Sequence, residues 1–129
     1  MSMEAMIQRR AINMLLRMNP TTVTINRETY VSEDGARVKQ ESTHGPMDIA
    51  LFSNVVRTAP KTIQAFVDSV KLDKVDWSAL AKEDADIRSG GNVVDTFSAD
   101  EKLFKVETVV DIETGGQVTG KLLLLEMIT

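Results

Sequence analysis

The chain contains no cysteine, which excludes disulfides, thiolate zinc sites and cysteine nucleophiles outright. That composition fits manufacture in a reducing cytoplasm without demanding it. Histidine occurs once, at His44. A lone histidine without cysteine does not make a transition-metal site, and a Ser-His-Asp arrangement would have to use His44 itself. Aromatic residues are scarce at 5%, so the core has to be built from Val, Ile, Leu and Met. No run of about 18 apolar residues exists, so no helical membrane span is expected. The opening MSMEAMIQRRAINMLLRM sets arginines among its apolar positions, which is wrong for a secretory signal. A basic excess is lacking too: 15 Lys and Arg stand against 19 Asp and Glu, a net charge of −4. A protein that grips nucleic acid through its phosphates shows a basic surplus or stripe. A mildly acidic protein could still surround DNA, but it would repel the strand and not grip it.

What is present is ordinary for one globular domain of 129 residues, with 43% apolar and 26% charged content. Met3–Met18 has a helical stripe of Met3, Ile7, Ala11, Met14, Leu15 and Met18, widened by Ile12 and Leu16. Pro20 disfavours helical geometry at Asn19 and ends the helix. The stripe reads first as core packing. Its second reading is an adaptable face offered to a neighbouring subunit, with Met6, Met14 and Met18 as candidate interface residues. Thr22–Val31 alternates as a strand with Val23, Ile25 and Val31 on one side, and Ser32-Glu33-Asp34-Gly35 turns it back. The return strand Ala36–Glu41 is nearly devoid of apolar residues, so the hairpin is expected to project into solvent or against a partner. Its Arg37 and Lys39 are further candidate interface residues. His44-Gly45-Pro46 is expected to end it, and Met47–Phe52 to form a third strand with Met47, Ile49 and Leu51 facing the core.

Ser53–Lys74 is ambiguous. Ile63, Phe66, Val67 and Val70 have helical spacing, with Pro60 placed as at a helix start, yet the same residues suit a long irregular loop. Val75–Ala81 reads as a short turn of helix with Trp77 closing the core. Strands are expected at Asn92–Phe97, Lys102–Ile112 (Phe104, Val106, Val110 and Ile112 sharing a face) and Gln117–Ile128. Leu122–Leu125 is apolar on both faces, as in a strand covered on both sides or lying in an interface. The fold class is therefore mainly β: a small six-stranded antiparallel β-barrel or sandwich over 21–129, led by an N-terminal α-helix over 1–19.

Chemistry is sparse. G-x-S-x-G does not occur. Gly90-Gly91 precedes a strand and Gly115-Gly116 lies in a hairpin turn, so neither is a phosphate loop. Asp84 and Asp86 lack the later ligands of a calcium loop and read as a solvated turn. His44 reads as a surface turn residue. No enzyme activity, cofactor or metal is expected.

Several segments, in order, resemble one family. They are Thr22-Val23-Thr24-Ile25-Asn26-Arg27, Gly45-Pro46 with Met47–Phe52, Trp77-Ser78-Ala79-Leu80-Ala81, Asp84-Ala85-Asp86-Ile87 with Gly90, Asn92–Phe97, Phe104-Lys105-Val106 and Leu122–Glu126. The set resembles small head–tail connector proteins of tailed bacteriophages and prophages, of the head-completion, stopper or head-closure type. The resemblance implies a β-barrel-like fold that forms a homo-oligomeric ring between portal and tail and extends or gates the DNA channel. The implied partners are portal or adaptor proteins, tail proteins and copies of itself, enclosing DNA without reading its sequence. The implied place is the virion head–tail interface, after assembly in the bacterial cytoplasm. By the same resemblance Ser53–Lys74 is a channel-facing loop, with Arg57, Lys61, Lys71 and Lys74 as its candidate residues. The helix is longer and richer in Met than the resemblance accounts for. The alternative reading is a small β-barrel module binding a soluble ligand or nucleic acid through an exposed aromatic or basic face.

Overall fold

The computed structural model describes residues 2–18, 20–53 and 77–128. One helix, α1 (Met3–Met18), precedes six strands: β1 (Thr21–Glu33), β2 (Ala36–Ser53), β3 (Trp77–Ala81), β4 (Val93–Ala99), β5 (Lys102–Thr114) and β6 (Gln117–Met127). The strands close into an antiparallel barrel in the order β1-β2-β3-β6-β5-β4, with β4 pairing back onto β1. Arg57, Lys61, Lys71 and Lys74, and with them the channel-loop expectation, lie outside the described residues. Ser53 and Trp77, which bracket 54–76, pair with each other across β2 and β3.

Three two-residue turns carry the hairpins: Asp34-Gly35, Asp100-Glu101 and Gly115-Gly116. All six turn residues have positive φ, the type I′ geometry whose twist matches that of the flanking strands. The barrel is filled by alternate residues of every strand. Val23 and Ile25 (β1), Ile49 and Leu51 (β2), Ala79 and Ala81 (β3), Phe97 and Ala99 (β4), Phe104 and Val106 (β5), and Leu123 and Leu125 (β6) form one buried cluster. A second cluster lies on the outer wall, where Ile12 and Leu16 of α1 pack on Ala50, Leu80, Ile112 and Leu122. This explains why β6 is apolar on both faces: Leu123 and Leu125 face the lumen while Leu122 and Leu124 face the helix. Gly120 admits the helix to that wall, since a Cβ there would stand 2.5 Å from Ile12 Cδ1.

Four expectations are corrected. First, β2 runs unbroken through His44, Gly45 and Pro46, so the return strand and the third strand are one element. The register on β1 slips by one residue between Val23 and Ile25, which accommodates the irregularity without ending the ladder. Gly45 has φ +119°, and a Cβ there would lie 3.2 Å from both Met47 N and Val23 O. Gly45→Ala is therefore expected to cost about 1–3 kcal/mol, read as a lower urea midpoint at unchanged slope. Second, Trp77–Ala81 is a strand and not a helical turn. It is sandwiched between β2 and β6, and ladder bonds on both sides override the helix propensity of its Ala and Leu residues.

Third, Phe104, Val106, Val110 and Ile112 do not share one face. A bulge between Val106 and Thr108 reverses the alternation, so Phe104 and Val106 fill the lumen while Val110 and Ile112 meet the helix. Fourth, the Met-rich stripe of α1 is not its buried face. The helix buries Ala5, Ile12 and Leu16, whereas Met3, Met6, Ile7, Met14 and Met18 are exposed, Met14 at 61% and Met18 at 75%. The apolar groove between β2, β3, β6 and β5 takes branched side chains, and the unbranched methionines are left outside.

Candidate functional site

The inward alternation of β1 continues past Val23 and Ile25 to Arg27, which is only 4% exposed. Directly opposite it on β4 is Asp95, completely buried. The two close the end of the barrel away from Ser53 and Trp77. Their geometry is bidentate: Arg27 Nε donates to Asp95 Oδ1 at 2.8 Å and Nη2 to Oδ2 at 2.9 Å. The fork matches the planar carboxylate and is the strong form of such a pair. The backbone N–H of Arg88 donates to Asp95 Oδ2 at 2.7 Å.

A second carboxylate reaches the guanidinium from the chain between β3 and β4. Arg27 Nη2 donates to the Asp86 backbone carbonyl at 3.1 Å and to Asp86 Oδ1 at 3.2 Å, and Nη1 donates to Oδ2 at 3.3 Å. Arg27 Nη1 also lies 3.3 Å from His44 Nε2, and Ser42 Oγ lies 2.9 Å from the same nitrogen. Guanidinium is only a donor, so Nε2 is the accepting nitrogen here. His44 Nδ1 then faces Asp86 Oδ2 at 3.5 Å. His44 is thus a half-buried, inward-facing strand residue and not a surface turn residue, because β2 does not stop before it. Asp86 likewise departs from the solvated-turn reading: it is tied to Arg27 and, through Arg88 Nε at 3.1 Å, to the surface. The Arg27 hydrogen bond, with the Arg27 and Arg88 charges adding to it against the opposing effect of burial, holds the Asp86 carboxyl below its ordinary pKa. The Asp95 hydrogen bond raises that of Arg27 against the opposing effect of burial.

Chemically, this cluster ties the strap Ala85–Arg88 across the barrel mouth. Each side of the guanidinium has an acceptor, so its charge is spent on structure. Beside it an open groove of about 480 Å³ is lined by Thr22, Pro46, Met47, Asp48, Lys82 and Asp84 among others. Asp48 in it accepts a 2.6 Å bond from the Thr22 hydroxyl. Among the described residues no group of three or more His, Cys, Asp or Glu side chains is placed to hold a metal ion.

The expected interface residues fall on two separate surfaces. Met6, Met14 and Met18 stand on the outer face of α1 with Arg10 and Arg17. Arg37 and Lys39 stand on the projecting β1–β2 hairpin. There Arg37 stacks over the Tyr30 ring at 4.5 Å, and Lys39 Nζ lies 3.1 Å from Glu41 and 3.7 Å from Glu28. Only Asn26–Thr29 of β1 pair with β4, and only Ala50–Ser53 of β2 pair with β3. Beyond those limits the hairpin is a two-stranded ribbon, as its polar return strand implies.

Sequence reasoning missed Arg27 and Asp95 as a site. One signal was available: a basic residue on the inward beat of β1 and an acidic one on the inward beat of β4. No family model, curated protein or solved structure matches the chain.

Proposed function

We propose that the chain is a non-enzymatic virion assembly protein that forms a homo-oligomeric ring between portal and tail and extends or gates the DNA channel. The observation that carries this reading is the outer face of α1. A helix clamped onto the barrel presents Met3, Met6, Ile7, Met14 and Met18 to its surroundings, interspersed with Arg10 and Arg17, and exposed apolar side chains gathered on one helix face mark protein contacts. Methionine suits a surface that must meet more than one partner. The resemblance of the strand segments to connector proteins supplies the partners: portal or adaptor, tail, and further copies. The net charge of −4 suits a channel that lets DNA slide.

The ligand-binding alternative draws less support. The lumen is filled by Phe97, Phe104 and aliphatic side chains. Trp77 packs on Phe104 at 5.1 Å and Tyr30 is covered by Arg37, so neither ring is a free stacking platform.

Particles assembled without this chain are expected to be DNA-filled heads that leak genome or lack tails in negative-stain electron microscopy. Filled, tailed, infectious particles in its absence would sink the reading.

A further inference from the structure

We infer that the free edge of β2 over Arg37–Thr43 pairs with the same edge of a second copy, antiparallel and two-fold symmetric about Gln40. The starting point is the ladder. Glu33 and Ala36 are partners on either side of the two-residue turn, the position at which such a turn has its flanking residues exchange both backbone bonds, and the pattern alternates from there. Arg37, Lys39, Glu41 and Thr43 consequently turn their N–H and C=O groups away from β1. No third strand covers that edge among the described residues, and an isolated ribbon of this length is marginal alone.

Charge decides both the occupant and the register. Residues directly opposite in an antiparallel pair interact, favourably when their charges differ. With Gln40 opposite Gln40 of the second copy, Lys39 faces Glu41 and Glu41 faces Lys39, twice over by symmetry. Sliding the second copy by two residues one way sets Lys39 against Lys39 between two Arg37–Glu41 pairs, so that one repulsion offsets part of the attraction; the other way sets Glu41 against Glu41. One more step in the first direction opposes Arg37 and Lys39. A lysine on an edge normally blocks pairing, but with Lys39 followed two residues later by Glu41 both adjacent registers contain a like-charge pair, and the register centred on Gln40 has two opposite-charge pairs and no like one.

The single copy also carries an unbalanced row that the second copy would complete. Glu28 lies directly opposite Glu41 on the outer face of the ribbon, an unfavourable like-charge pair, with Lys39 reaching toward both. Lys39 of the second copy would extend that row from the open side of Glu41 and place a cation beside the two carboxylates. A single strand pair is a small interface, so the dimer is weak and concentration-dependent. The inference rests on the hairpin alone and not on the ring reading: a two-fold contact closes at two copies, whereas head-to-tail contacts close as rings.

Sedimentation velocity of the full chain over a concentration series tests it, with Lys39→Glu, Glu41→Lys, an equimolar mixture of the two, and the double variant. Wild type is expected to pass from monomer to dimer. Each single variant opposes like charges in this register and should be less dimeric than wild type at the concentration where wild type is half dimer. In the mixture an acidic edge meets a basic one and the dimer returns; the double variant restores opposite charges in the same register and dimerises as wild type does, which also shows that both positions tolerate exchange. Wild type that stays monomeric into the high micromolar range, single variants that dimerise unchanged, or a mixture that stays monomeric each overturn the pairing. A wild-type species larger than a dimer overturns it as well, while favouring the ring reading.

Discussion

Arg27→Met is expected to lower the stability of the domain by about 3–5 kcal/mol, the cost of leaving one partner of a buried ion pair behind. Asp95 would keep its bond from the Arg88 N–H but lose both guanidinium contacts in a fully buried place. The converse change should hurt less. In Asp95→Asn, Arg27 retains the Asp86 carboxylate and the Asp86 carbonyl, so the cation is not stranded. Arg27→Lys should fall near Arg27→Met, because an ammonium cannot fill a bidentate fork. The decisive comparison is the double variant Arg27→Met with Asp95→Leu, which removes both charges. It should recover most of the loss, since well-packed apolar replacements of buried pairs are often neutral or better. Urea midpoints at constant slope report all four; a double variant as unstable as Arg27→Met alone would show that the pair is not what stabilises this end of the barrel.

The same cluster sets a pH dependence with a definite sign. Asp86 is held below its ordinary value of 3.8 by Arg27, so its folded-state pKa is depressed. Its contribution is present in full above the unfolded value and is lost as pH falls through the lower folded one. The gap between wild type and Arg27→Met should accordingly narrow in acid, below about pH 4. Arg27 itself stays protonated throughout that range and adds no slope.

Why this cluster escaped sequence reading is a matter of distance and of polarity. Arg27 and Asp95 are 68 residues apart, and a charged residue on an inward beat looks locally like a break in the alternation. The helix escaped for a different reason. Ala5, Ile12 and Leu16 share a face at helical spacing just as Met3, Ile7, Met14 and Met18 do, and only the outer wall of the barrel, with Gly120 beneath Ile12, selects between them. The bulge after Val106 adds one residue and sends Val110 to the other face; no local preference marks it. What was legible followed from rules that act within a few residues. Asp34-Gly35 and Gly115-Gly116 turn where expected, and Leu122–Leu125 announces a strand covered on both sides. Gly45-Pro46 misled by the same local rules, because the ladder on either side is strong enough to carry β2 through it.

Phe104→Ala is the change expected to damage the core most, at about 3–5 kcal/mol. Phe104 is fully buried and is the ring that joins two others: Phe97 at 5.5 Å and Trp77 at 5.1 Å. Removing it takes out the transfer energy of a large side chain and opens a space that Ala79, Ala99 and other short neighbours cannot fill. Phe104→Leu should cost clearly less, because it keeps most of the volume. Trp77→Ala should also cost less than Phe104→Ala, since the indole is only partly buried at the edge of the cluster and lies beside Lys102. As the only tryptophan, Trp77 reports on the site directly. Loss of the Phe104 ring exposes its inner face, so the emission of folded Phe104→Ala should shift to the red, while Arg27→Met, at the opposite end of the barrel, should leave it in place. Equal red shifts in both variants would mean that the two ends loosen together, and that the barrel responds to either loss as one cooperative body.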